Sequence, residues 1–165
     1  MTTFKMSKGP TFATHEDAVW HRLHYFSLVV PIPDAEAYYE QLVCERAGEN
    51  RYRLLCIPFF LYGVALGDIL EGDASAELED LEFQVAERSG RSVYRVWFDS
   101  GSVAVIEDCL TNLTSLGALT EQSSKRLYAI DAENPKIAER VEAYLRKGES
   151  SGKWEYERGY LASGQ

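Results

Sequence analysis

Few residues in this chain could move protons or bind a metal near neutral pH. Its three histidines, His15, His21 and His24, all lie within the first 24 positions. His21 and His24 are three apart and could share a helix face, with Glu16 and Asp17 nearby as oxygen ligands. A zinc site needs a fuller set of ligands than that. His24 opens a stretch of strand character and His15 sits in irregular sequence, so surface or ordinary packing roles are expected. A Ser-His-Asp nucleophile gets no help from spacing, because every histidine is at one end of the chain. Ser89-Gly90-Arg91-Ser92 lacks the lysine and glycine spacing of a phosphate loop and precedes a strand, so it is read as a turn. Gly63 and Gly67 do not complete a dinucleotide fingerprint.

Among single carboxylates Asp68 is the most interesting. It follows a glycine beside an apolar run, and Arg88, Arg91 or Arg95 could pair with it. It is either an acid or base, or a structural ion pair or turn anchor. The structural role is preferred, because no second carboxylate is placed by spacing to complete an acid/base pair. Cys44, Cys56 and Cys109 form no CxxC pair, which argues against both a zinc site and a disulfide framework. If 48–51 turns a hairpin, Cys44 and Cys56 fall on facing strands; small buried hydrophobes are the expected role. No catalytic, cofactor-binding or metal residue is assigned.

The charge distribution says more. The 165-residue chain carries a formal −9, and positions 31–124 hold 17 Asp or Glu against six Arg and no Lys, a local −11. From Asp68 to Glu82, seven carboxylates follow one another with no cation between them. Such a field repels nucleic acid and anionic membrane and attracts a basic protein. The residues assigned to partner contact are Asp73, Glu77, Glu79, Asp80 and Glu82. A solvated face that only maintains solubility is the plainer reading.

The elements that must position these residues follow from pattern. Apolar content of 45% supplies a core, and the longest apolar run, Ile57 to Leu66, is too short to span a bilayer. No signal peptide is visible, so a cytoplasmic location is expected. Residues 1–23 are read as a loosely ordered lead-in, 24–90 as a β-rich subdomain, 91–160 as an α/β subdomain and 161–165 as a tail. His24 to Ile32 reads as a strand, and Tyr38 to Arg46 with Arg51 to Ile57 as a hairpin. Pro58 marks a strand end. Further strands are expected from Asp68 and over Leu81 to Ala86, which together suggest a small antiparallel sheet or partial barrel.

Beyond Val93 the period changes. A strand to Phe98 leads to a helix whose stripe is Ile106, Cys109, Leu110, Leu113 and Leu116, closed by Gly117. Ala118 to Ser123 and Lys125 to Asp131 suggest a hairpin. Asn134-Pro135 starts a second helix, with Gly148 expected to end it, and Lys153 to Arg158 is a last strand. The order strand, helix, strand, strand, helix, strand is ferredoxin-like, so the expected fold class is α+β. Aromatic residues on such a sheet could suggest base stacking, but the charge sign opposes RNA.

The run from Arg53 through Ile57-Pro-Phe-Phe-Leu-Tyr-Gly-Val-Ala-Leu-Gly-Asp-Ile-Leu70, followed by Ser89-Gly-Arg-Ser-Val-Tyr-Arg-Val-Trp97, resembles a bacterial family known as a domain of unknown function. The likeness extends over about residues 38–160, including Tyr128 to Asp131 and Trp154 to Glu157. It implies a fold and no activity. Small acidic bacterial proteins of this kind are often toxin-neutralising immunity proteins. The leading expectation is therefore a non-enzymatic binding protein that occludes a cognate, basic toxin, with no cofactor and no nucleic-acid or membrane partner. The alternatives are a small enzyme around Asp68 and Arg95, and a ligand-sensing module that forms a homodimer through its sheet.

Overall fold

The computed structural model describes residues 9–20 and 24–163. In the second half, the strand β7 (Ser92–Trp97) leads to helix α1 (Val103–Ser115), then to β8 (Leu119–Gln122) and β9 (Leu127–Ala132). Helix α2 (Pro135–Ser150) and β10 (Glu155–Tyr160) complete it. These four strands form one antiparallel sheet in the order β10-β7-β9-β8. Alternation along β7 and β9 sends Tyr94, Val96, Tyr128 and Ile130 to the helix side. There they pack with Ile106, Cys109 and Leu113 of α1 and with Val141 and Leu145 of α2. Phe98, Tyr128 and Trp154 meet edge to face within this layer.

Local chemistry fixes the helix ends. The Asn134 side chain accepts a bond from the Ile137 amide at 3.0 Å, and Pro135 occupies the first helical turn. Gly117 adopts φ +93° after α1, and the Ala118 amide reaches back to the Leu113 carbonyl at 3.0 Å. Gly148 does not end α2, which runs on to Ser150. The Trp154 indole lies where a Cβ on Gly148 would project, so this glycine serves packing. Reversal falls at Gly152, φ +71°, with the Lys153 amide bonded to the Gly148 carbonyl at 3.0 Å.

The first half is an open sheet. Its strands are β1 (Thr11–Thr14), β2 (Phe26–Pro31), β3 (Tyr38–Gly48), β4 (Arg51–Leu54), β5 (Ile69–Glu71) and β6 (Gln84–Glu87). The path runs β1-β3-β4-β5-β6, with β2 on the other edge of β3. The expected partial barrel is therefore not formed. Strands β4 to β6 have only three or four residues each, too short to wrap, and no pairing joins β6 back to β1 or β2 among the described residues. The apolar run after β4 packs on the second sheet. Ile57, Phe59, Ala65 and Leu66 pack on Val93 and Ala129, on the face of the second sheet opposite its helices.

β1 falls inside the stretch expected to be a lead-in. It pairs in parallel with β3, from Thr11 opposite Tyr38 to Thr14 opposite Gln41. No helix among the described residues is long and apolar enough to cross a membrane.

Candidate functional site

The five carboxylates assigned to partner contact share one loop. Asp73, Glu77, Glu79, Asp80 and Glu82 lie between β5 and β6, around a short 3-10 turn (Leu78–Asp80), and all five are exposed. None takes part in an ion pair among the described residues. The loop is closed at its neck, where Gly72 lies against the Glu82 carbonyl and the Phe83 ring. The Gly72 amide also bonds the Asn50 carbonyl at 3.0 Å. Asp73 accepts from the Ser75 hydroxyl at 2.6 Å and amide at 2.9 Å, and these bonds hold its carboxyl below the usual range. Leu78 and Leu81, each half-buried, line a shallow pocket together with Leu28 of β2. The loop's leucines are thus half-buried while its acids face water.

Asp68 is a turn anchor. Buried completely, it accepts from the Ala65 amide at 3.0 Å, the Ser89 amide at 2.8 Å and Arg88 Nη1 at 3.1 Å. Three donors satisfy both of its oxygens and tie the 63–68 turn to residues 88–89, just past the end of β6. Of its three candidate partners the structure uses Arg88. Arg91 pairs with Asp131, through Nε at 2.9 Å and Nη2 at 2.5 Å. Arg95 donates to Glu157 at 2.9 Å and to the Leu61 carbonyl, and its guanidinium lies 4.7 Å from the Tyr62 ring centre. No bond brings Asp68 and Arg95 together, and the Arg95 Nε has no hydrogen-bond partner.

Arg95 floors a cleft of about 410 Å³ between the 59–62 loop and the face of the second sheet that turns away from its helices. Phe60, Trp97 and Leu127 supply apolar walls, and Glu155 and Glu157 stand along β10, an edge strand. Phe60 and Trp97 are 36% and 39% exposed.

The most organised polar cluster lies elsewhere, and sequence reasoning missed it. His15, expected to take a surface or ordinary packing role, is buried between two glutamates from distant strands. Its Nε2 is 2.8 Å from Glu40 Oε1 of β3, and its Nδ1 meets Glu121 Oε1 of β8. Glu40 also accepts from the amides of Phe59, Phe60 and Leu61 at 2.5, 3.0 and 3.1 Å, and Glu121 accepts from the Ile57 amide at 2.9 Å. The imidazole stacks on Phe59, centres 4.0 Å apart. Burial alone would lower the His15 pKa, but contacts with Cys56, Glu121 and Glu40 outweigh it and push the pKa up to about 12. Burial likewise pushes the Cys56 thiol up. Side-chain exposure is 0% for His15 and Glu40 and 1% for Glu121, so substrate cannot reach this constellation. It is a clamp that fastens β1, β3, the 57–61 loop and β8 together.

His24 is exposed, and His21 lies outside the described residues. Among the described residues no group of three or more His, Cys, Asp or Glu is arranged to hold a metal. Cys44, Cys56 and Cys109 are free and buried. Cys56 lies beyond the end of β4, and its sulfur accepts from the Val43 amide at 3.4 Å.

No curated protein matches the sequence. A solved structure of a hypothetical protein from Neisseria gonorrhoeae is similar in fold, with a TM-score of 0.66 and 17% identity over 87% of this chain and 100% of that one. Residues 40–156 match the family described as "Domain of unknown function (DUF4265)". That span covers most of both sheets and both helices, and the chain belongs to this family.

Proposed function

We propose that this is a non-catalytic binding protein that docks a basic protein partner through the loop between β5 and β6. The observation that carries this reading is the loop itself: five exposed carboxylates with no cation paired to them among the described residues, on a neck closed by backbone contact. Unpaired surface charge of one sign raises the rate of encounter with an oppositely charged partner and disfavours wrong ones. The most concrete form of the activity is immunity, in which the loop covers the active site of a cognate toxin whose natural ligand is anionic. The sealed His15 clamp supports a non-catalytic reading, since the one His-carboxylate constellation among the described residues is closed to substrate.

The test is capture from a lysate of the source bacterium with tagged wild-type protein and with the triple variant Glu79→Lys, Asp80→Lys, Glu82→Lys. A basic protein retained by the wild type and released by moderate salt is expected to be lost by the variant. Equal retention by both would remove the loop from the interface.

A further inference from the structure

We propose that the cleft floored by Arg95 seats an arginine side chain of the basic partner. The inference rests on the docking reading above and adds a second, anchoring contact to it. Arg95 does not make this cleft a site for anions. Its charge is already answered by Glu157 at 2.9 Å and its other terminal nitrogen is occupied by the Leu61 carbonyl, which leaves only the buried Nε–H without an acceptor among the described residues. Glu155 remains, exposed and without an ion-pair partner among the described residues, so the lining carries one net negative charge. Beside it stand the partly exposed rings of Phe60 and Trp97. A carboxylate next to open aromatic faces favours a cation with a flat, weakly hydrated head. Guanidinium fits better than ammonium, because it can stack on a ring and still offer paired N–H donors to a carboxylate in its own plane. The cleft, at about 410 Å³, falls within the usual size range of side-chain and ligand pockets, roughly 300–1,000 Å³. An aromatic-walled pocket of this kind is where interface anchors concentrate, whereas exposed loop charges govern mainly encounter.

The test uses the full chain, labelled with nitrogen-15 and titrated with N-acetyl-arginine amide. The Trp97 indole N–H, which donates to Asp99 at 2.9 Å, reports on the cleft. Saturable shifts of this signal and of the 155–157 amides are expected. Glu155→Gln should weaken binding about five-fold or more, and Trp97→Ala should abolish saturation at the 155–157 amides. The loop variant Glu79→Gln, Asp80→Gln, Glu82→Gln should leave the titration unchanged. Because that variant spares the cleft, the docking loop can fail while the anchor stands, and the reverse. Shifts that do not saturate, an unchanged affinity in Glu155→Gln, or tighter binding of N-acetyl-glutamate than of the arginine probe would each overturn the proposal.

Discussion

His15 lies between two carboxylates in a fully buried site, and the consequences can be measured. Removing one partner from a buried charge cluster leaves the others uncompensated, so His15→Leu should lower stability by about 3–5 kcal/mol at pH 6. The pH dependence follows from the raised pKa. The contribution is complete below the unfolded value of 6.5 and is lost as pH rises toward about 12. The gap between wild type and His15→Leu should therefore narrow between pH 7 and pH 9, by at most ~1.4 kcal/mol per unit. Urea unfolding of both proteins at several pH values checks this, and a gap that widens with pH would contradict a protonated His15. The three cysteines give a second test. Burial pushes each thiol up, Cys109 to about 12, so none should react with a disulfide reagent at pH 8 until the protein unfolds. Rapid reaction of the native protein would show that these sites open. The clamp left a partial trace in the sequence. Glu40 is in phase with Leu42 and Cys44 on β3, so a carboxylate occupies an apolar position of the alternation. His15 had no such mark, because its partners are 25 and 106 residues away.

At the scale of elements, the helices were the most legible. Asn134-Pro135, the Ile106 to Leu116 stripe and Gly117 each carry a local rule, and each is used that way. Gly148 shows the limit of such rules, because a contact with Trp154 from a later segment decides its role. Gly148→Ala gains helix propensity of up to ~1 kcal/mol. It also forces a methyl into the indole, and overpacking of that kind costs about 1–3 kcal/mol or more. A net loss of stability is expected in thermal melts; a stabilised variant would show that Trp154 can move freely. The first sheet was harder to read. Apolar strands with Gly63 and Gly67 between them suit a small barrel in isolation, and nothing local reveals that Ile57, Phe59 and Leu66 face a second sheet. The pairing of β1 beside β3 was equally hidden, because Thr11–Thr14 is four residues of weak alternation whose order comes from its partner.

The whole molecule is a helix layer, a four-stranded sheet and an open six-stranded sheet, with the 57–66 run packed against the inner sheet face. A shared core of this kind should make unfolding a single transition. Circular dichroism and tryptophan fluorescence should give coincident melting curves, and two separated transitions would contradict one cooperative body. The net −9 is carried by an arrangement that leaves the β5–β6 loop without an ion pair among the described residues, and docking through the loop depends on this feature. Its charge was legible in sequence because charge needs no fold to be counted. Its closed neck was not, since the contact of Gly72 with Glu82 and Phe83 appears only once the loop is formed. The most direct measurement is the salt dependence of affinity between the captured partner and either wild-type protein or the Glu79→Lys, Asp80→Lys, Glu82→Lys variant. Between about 50 mM and 500 mM salt, screening should weaken the wild-type complex by roughly ten-fold or more. The variant should bind weakly throughout with little salt response. A wild-type affinity indifferent to salt, or a variant that binds as well as the wild type, would contradict docking through this loop.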